Sequence, residues 1–199
     1  MAVAVHDQPF DPLIDLDGLW TPELAEHYLP IEGAPPARYE AVNGKLVMSP
    51  REGSADSWAA SRLLILLDRF AEGTGHAVYN TLNVQLGPKS WIEPDLVVLV
   101  EPVRRMTWVP AEKVLMPVEF VSPSSRRRDR IDKPKLAAGA GIPFYLRVEI
   151  ADELNSPEIH LYQLFGETYK PTASAIGGQQ FHMKHPFGVS FYPEELLEP

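Results

Sequence analysis

Two acidic residues and one lysine stand where the sequence could assemble a site for phosphodiester chemistry. Asp95 comes directly before an apolar run, Leu96 to Val100, and Glu119 lies inside a second apolar run, Val114 to Val121. Lys133 follows the second run after a short basic segment. Continuous apolar runs of this length are typical of buried strands. We therefore expect the two carboxylates at the ends of neighbouring strands.

Glu119 is the more informative acid, because burying a lone carboxylate is unfavourable unless the group is paired or binds a cation. A salt bridge to an arginine would satisfy it without any function. Asp95 likewise has an alternative to a functional role, since an acid at the start of a strand can cap a turn. The functional interpretation is that both carboxylates hold Mg²⁺ or Mn²⁺, with waters and a phosphate oxygen as the remaining ligands. A bound ion of this kind polarises phosphate and activates a water.

Lys133 is the candidate for a third role, in which it positions the attacking water or stabilises the charge that develops on phosphorus. It falls at the start of a predicted helix, Ile131 to Ala140. The helix dipole disfavours a cation there, so the lysine is either solvated or held by a nearby anion. Asp129 could orient it, and Lys135 is the rival candidate.

A serine turn and a basic block lie between the second acid and the lysine. Ser122 and Ser124 offer hydroxyls at the strand end, and Arg126, Arg127 and Arg128 form a local basic patch. We expect these residues to contact phosphate beside the metal. The alternative is a solvated loop.

The composition is that of an acidic globular protein. Its 199 residues, 45% of them hydrophobic, suffice for one domain with a real core. The absence of cysteine excludes disulfides and thiolate metal sites. A net charge of −9 argues against broad non-specific binding to nucleic acid. It does not exclude a nuclease, because carboxylates that hold a cation contribute to that charge.

The sequence also predicts a soluble cytoplasmic protein with no membrane partner. No apolar stretch reaches the ~20 residues that a membrane helix needs. The first residues, Met1 to Asp17, carry acids and lack the basic start of a secretory signal.

The elements that must position the candidate residues alternate between strands and helices. Residues 1–36 look peripheral, with a short helix that begins at Thr21-Pro22. Tyr39 to Met48 predicts a hairpin around Asn43-Gly44, and Asp56 to about Ala71 predicts an amphipathic helix. Residues 37–199 would form a nuclease-like domain.

Further strands follow from alternating or continuous apolar patterns. Pro117 lies inside the second apolar run, so that strand should be near an edge or begin regular pairing after the proline. The order of elements predicts an α/β sheet with helices packed on it. The other predicted strands are Ala77 to Leu86, Phe144 to Ile150, Ile159 to Phe165 and Val189 to Tyr192.

Several short motifs, in this order and spacing, resemble the bacterial Uma family of candidate restriction endonucleases, within the PD-(D/E)XK nuclease superfamily. The resemblance covers about Arg38 to Leu164. The motifs are the hairpin Tyr39 to Pro50, Pro94-Asp95 with its strand, Val118 to Ser125, Asp129 with Lys133, and Ala140 to Tyr145.

The resemblance implies a restriction-endonuclease-like mixed β-sheet flanked by α-helices, with an N-terminal β-hairpin. It implies DNA as the partner and metal ligands at Asp95 and Glu119. Position 121, where the superfamily's usual lysine would stand, is valine. In this family the lysine comes from the following helix, which matches Lys133, and Glu40 matches the hairpin glutamate often placed near the metal. A homodimer would let such a nuclease cut both strands.

Three functional hypotheses remain open at this point. The leading one is a Mg²⁺-dependent endodeoxyribonuclease. The second is a catalytically degenerate nuclease-fold protein that binds a partner or nucleic acid. It is favoured by the negative net charge and by Asp56 and Ser57 in the region where the family commonly has a histidine. The third, a hydrolase with Ser122 or Ser124 as nucleophile, lacks both a Gly-x-Ser-x-Gly elbow and a triad-like histidine.

Overall fold

A computed structural model describes residues 9–123, 125–151 and 156–199. Four α-helices and thirteen strands lie in these ranges. The helices are α1 (Pro12–Asp15), α2 (Pro22–Tyr28), α3 (Ser54–Ala71) and α4 (Lys133–Gly139). None of them combines the length and apolar character that crossing a membrane requires.

The strands are β1 (Ala37–Val42), β2 (Lys45–Pro50), β3 (Ala77–Asn80), β4 (Asn83–Gly87), β5 (Ser90–Ile92), β6 (Leu96–Leu99), β7 (Trp108–Pro110), β8 (Val114–Phe120), β9 (Phe144–Ala151), β10 (Ser156–Phe165), β11 (Thr168–Ile176), β12 (Phe181–Met183) and β13 (Val189–Phe191).

A mixed six-stranded sheet forms the centre of the fold. Its strand order is β11-β10-β9-β8-β6-β3, and only the β8–β9 pair is parallel. A five-stranded sheet, β2-β1-β5-β4-β7, lies beside it and contains the N-terminal hairpin β1–β2. The third sheet is the β12–β13 pair.

Helices cover both faces of the central sheet. Leu63 and Leu67 of α3 join the cluster that contains Val118, whereas Ala137 of α4 packs with Val97 on the opposite face. Successive strand residues point to opposite faces, so Glu119 lies on the α4 face.

The register explains why the two predicted acids meet. Leu96 of β6 pairs with Val118 of the antiparallel strand β8. The preceding residue of β6, Asp95, therefore falls beside Glu119, on the same face of the sheet.

Two elements differ from the predictions, and the strand with Pro117 follows the second of its two predicted alternatives. The run Ala77 to Leu86 is divided into β3 and β4, which lie in different sheets, because Thr81 adopts a positive φ of 48° between them. Pro117 lies in a central strand, and the pairing of β8 with β9 begins at Val118, after the proline. The predicted helix start at Ile131 is wrong, because a π-helical turn, Arg128–Asp132, leads directly into α4.

Candidate active site

A cavity of about 230 Å³ opens on the α4 face of the central sheet. The hairpin strand β1, the starts of β6 and α4, and the end of β8 contribute to its wall. Its acidic lining residues outnumber the basic ones, an imbalance that favours a bound cation. The acids are Glu40, Glu52, Asp56, Glu93, Asp95, Glu119 and Asp129, and the bases are Arg38, Arg51, Arg128 and Lys133.

Asp95 is buried at the start of β6, and both of its carboxylate oxygens are engaged. Oδ2 accepts a hydrogen bond from the backbone N–H of Phe120 at 2.6 Å. Oδ1 accepts one from Nη1 of Arg38. The bond to Phe120 ties the carboxylate to the end of β8, so its position is set by the sheet.

Glu119 is the most deeply buried acid of the cavity, with 2% of its surface exposed. Its Oε2 accepts a hydrogen bond from Nζ of Lys133 at 2.9 Å. Its Oε1 is buried and has no hydrogen-bond partner among the described residues. A buried carboxylate oxygen left in this state is available to a further cation.

Lys133 is held by three carboxylates. Its Nζ lies 2.9 Å from Oε2 of Glu119, 2.9 Å from Oε1 of Glu40 and 3.2 Å from Oδ1 of Asp129. Asp129 and Lys133 share one face of the helical segment because they are four positions apart. The geometry therefore brings together four residues that the sequence singles out: Glu40, Glu119, Asp129 and Lys133.

The electrostatics of this group keep the lysine charged. Burial by itself lowers the pKa of Lys133, but the negative charges of Glu119, Glu40 and Asp129 outweigh it and raise the pKa well above 10.5. Lys133 therefore acts as a hydrogen-bond donor and a positive charge, and a base would have to be another group.

Burial has the opposite consequence for the acids. It raises the pKa of Glu119 well above 4.5, and the negative charges of Asp129, Asp95 and Glu40 raise it further, against the opposing effect of Lys133. Burial likewise raises the pKa of Asp129. Cations would relieve this mutual repulsion of carboxylates.

The predicted phosphate-contact residues separate into two groups. Ser122 and Arg128 line the cavity, and Nη1 of Arg128 donates to Oγ of Ser49 at 2.8 Å. Arg126 and Arg127 are exposed and do not line it, and the Arg127 side chain is 86% exposed. Ser124 lies outside the described residues.

The structure gives less support to Lys135 as the catalytic lysine and to Ser122 as a nucleophile. Lys135 is exposed and lines a different cavity, so it does not share the site of Lys133. Oγ of Ser122 and Oγ of Ser125 lie 3.0 Å apart in a hydrogen bond that closes the turn. None of the described residues that line the cavity is a histidine, so the histidine base of a Ser-His pair is missing there.

Arg38 is one of the site residues that the sequence analysis missed. It bridges Asp95 and Glu52 with two guanidinium nitrogens. Its position two residues before Glu40 in β1 was the available signal, because residues i and i+2 of a strand point to the same face. Glu93 was missed as well, and its backbone N–H donates to Oε1 of Glu40 at 3.0 Å.

The donor set fits a magnesium-type ion. Among the described residues, no group of three or more His, Cys, Asp or Glu side chains is arranged to hold a metal. Mg²⁺, however, is commonly bound through one or two carboxylates and keeps several waters. Asp95 and Glu119 supply two adjacent carboxylates, and Oε1 of Glu119 is free of hydrogen bonds within the described part of the chain.

Comparisons with known proteins agree with this architecture. A family model, Uma2, described as "Putative restriction endonuclease", matches residues 25–192. The crystal structure of a protein from Anabaena variabilis ATCC 29413, described as a putative nuclease belonging to DUF820, is similar with a TM-score of 0.61. The two sequences are 12% identical, and the match covers 81% of this chain and 92% of that chain. No curated protein matches the sequence. The structural match confirms the predicted nuclease-like mixed α/β fold.

Proposed function

This chain belongs to the Uma2 family of restriction-endonuclease-like proteins, and we propose that it is a metal-dependent endodeoxyribonuclease that hydrolyses phosphodiester bonds in DNA. The observation that carries the proposal is a pair of buried carboxylates, Asp95 and Glu119, which the strand register sets side by side, with Glu119 bound to a lysine that remains protonated. Two oxygen ligands and a nearby fixed positive charge are what hydrolysis of a phosphodiester requires.

Each side chain has a role that its contacts support. Asp95 and Glu119 would hold Mg²⁺ or Mn²⁺. When bound, such an ion polarises the phosphate and lowers the pKa of a coordinated water. Lys133 donates hydrogen bonds to the attacking water or to the phosphate oxygens, while Glu40 and Asp129 hold its ammonium group in place.

The rim residues would orient the substrate. Arg128 and Ser122 lie in the cavity wall, where a guanidinium and a hydroxyl can bind phosphate oxygens. Arg126 and Arg127 lie outside the cavity, so we assign them to phosphates farther along the DNA. Cutting both strands of a duplex calls for two such sites, so a homodimer acting on DNA in the cytoplasm is part of the proposal.

The test is nicking of supercoiled plasmid DNA in Mg²⁺ or Mn²⁺, with a chelator as the negative control. Asp95→Asn and Glu119→Gln should each lower the cleavage rate by about 100-fold or more. Asp68→Asn is the matched control, because Asp68 is an exposed acid on α3. Cleavage that persists in the chelator, or that Asp95→Asn leaves intact, would show that the proposal is wrong.

One observation favours a second candidate, the catalytically degenerate nuclease-fold protein that binds a partner. Arg38 pairs with Asp95 and Lys133 pairs with Glu119, so the two acids are compensated by the chain's own cations. Calorimetric titration with Mn²⁺ separates the candidates. A degenerate protein would bind no ion, although both wild type and Asp68→Asn would be folded.

A further inference from the structure

We infer that Arg38 and a divalent cation are alternative occupants of Asp95, and that the guanidinium retreats to Glu52 when the ion binds. This inference rests on the proposed function, since it assumes that Asp95 and Glu119 hold a metal. It adds a positioning residue and a switch that control how readily the metal site fills.

Arg38 contacts two carboxylates at once, so it could release Asp95 and keep its contact with Glu52. Nη1 contacts Oδ1 of Asp95, and Nη2 contacts Oε1 of Glu52. The Asp95 side chain is 6% exposed, whereas that of Glu52 is 28% exposed. The guanidinium therefore spans from the floor of the cavity to its mouth, with a carboxylate at each end.

The two oxygens of Asp95 are held by different partners. Its Oδ2 is fixed by the backbone N–H of Phe120, at the end of the strand that carries Glu119. Oδ1 is the oxygen that is not tied to the backbone by that bond, and it is the atom that Arg38 contacts. A guanidinium and a divalent ion repel each other, so they cannot share this oxygen at hydrogen-bonding distance.

Arg38 is unable to leave by losing its charge. Burial alone lowers its pKa, but the negative charges of Asp95, Glu93 and Glu119 raise the pKa above its ordinary value. The side chain must therefore move as a cation, and Glu52 is the carboxylate that can keep it at the mouth of the cavity once it has left Asp95.

The experiment is calorimetric Mn²⁺ titration of the full chain without DNA, for wild type and two variants with opposite expected effects. Arg38→Gln removes the competitor and should bind Mn²⁺ about 10-fold more tightly, as expected for a coupling of ordinary size. Glu52→Gln removes the alternative carboxylate, leaves Arg38 on Asp95 and should weaken Mn²⁺ binding severalfold. Arg51→Gln is the matched control, since Arg51 lines the same cavity whereas the ion pair of Asp95 is with Arg38.

The opposite signs distinguish competition from a structural role, which would weaken Mn²⁺ binding in both variants. Arg38→Lys has one ammonium group in place of the two guanidinium nitrogens that form the bridge, so its affinity for Mn²⁺ should be intermediate. This variant replaces Arg38→Gln in the experiment if Arg38→Gln does not fold. Unchanged or weaker binding by a folded Arg38→Gln overturns the inference, while plasmid cleavage by wild type leaves the proposed function standing. Absence of Mn²⁺ binding in wild type and Arg38→Gln alike also overturns it, and plasmid cleavage then decides the proposed function separately.

Discussion

At the scale of single residues, the informative feature is a carboxylate kept where its charge is unfavourable. Glu119 is 2% exposed, and its Oε1 makes no hydrogen bond within the described residues. A well-packed apolar residue would stabilise such a position at least as well. Strongly shifted pKa values of this kind cluster at functional sites. The burial of Glu119 therefore supports the proposed role of this residue in cation binding.

The raised pKa of Glu119 predicts how stability depends on pH. The folded protein keeps this proton at a pH where the unfolded chain, with an ordinary value of 4.5, has released it. The folded state then binds more protons than the unfolded state, so this group's contribution to stability is present below pH 4.5 and is lost as the pH rises through the folded-state pKa. Glu119→Gln removes the titration, so the free energy of unfolding of this variant should rise relative to that of wild type as the pH rises above 4.5.

Urea unfolding at a series of pH values measures this difference, in the absence of divalent ions. Glu112→Gln is the control, because Glu112 is exposed and its variant should follow wild type at every pH. A constant difference between Glu119→Gln and wild type over the whole range would mean that Glu119 titrates normally.

At the scale of elements, the hairpin β1–β2 delivers Arg38 and Glu40 to a site whose other parts come from the central sheet and α4. Asn43 and Gly44 form its turn with φ values of 52° and 78°, as a tight hairpin requires. The backbone N–H of Gly44 donates to the Lys89 carbonyl at 2.7 Å, and the Gly44 carbonyl accepts from the Trp20 N–H at 3.1 Å. The hairpin is therefore fixed from two sides.

Gly44→Ala should destabilise the protein by about 2 kcal/mol, because a Cβ atom there adds left-handed backbone strain and collides with the Gly18 carbonyl. Gly73→Ala is the matched control. Gly73 has the same φ of +78°, but a Cβ there meets nothing within 4 Å, so only the backbone strain of about 1 kcal/mol applies. Urea unfolding of both variants gives the comparison, and equal losses would contradict the role of the Gly18 contact.

At the scale of the whole molecule, an acidic protein must approach a polyanion through a local basic surface. The net charge is −9, yet Arg126, Arg127 and Arg128 follow one another in the sequence, and Arg128 lines the cavity. The bound metal and these arginines would have to offset the repulsion between the remaining acids and the DNA. The basic block is thus expected to set the salt dependence of DNA binding.

Arg127→Gln should reduce the magnitude of the slope of log affinity against log salt concentration by about 0.9, the value for one lost phosphate contact. Fluorescence anisotropy with a labelled duplex measures the slope in a Glu119→Gln background, which prevents cleavage. Arg69→Gln is the matched control, because Arg69 is an exposed arginine near the end of α3. Equal slopes for the two variants would show that the block is a solvated loop.

Much of the fold and of the candidate site could be predicted from the sequence. The hairpin around Asn43-Gly44, the helix α3 and the strand β8 follow from turn chemistry and apolar periodicity, which are local properties. The nuclease-like fold followed from the resemblance. The choice of Asp95, Glu119 and Lys133 followed from residue type and spacing, and their catalytic roles stay a prediction.

What only the tertiary structure decided is which charges meet. Arg38 and Asp95 are 57 positions apart, and no periodicity relates them, so only the packing of the hairpin against the central sheet brings them into contact. The same packing brings Arg128 to the cavity and leaves Arg127 in solvent. The sequence by itself determined the hairpin, the helix α3 and the strand β8, because steric and hydrophobic preferences act locally, but it did not show that Ala77 to Leu86 divides into β3 and β4. The pairing of charges depends on distances between remote segments, which exist only after the chain has folded.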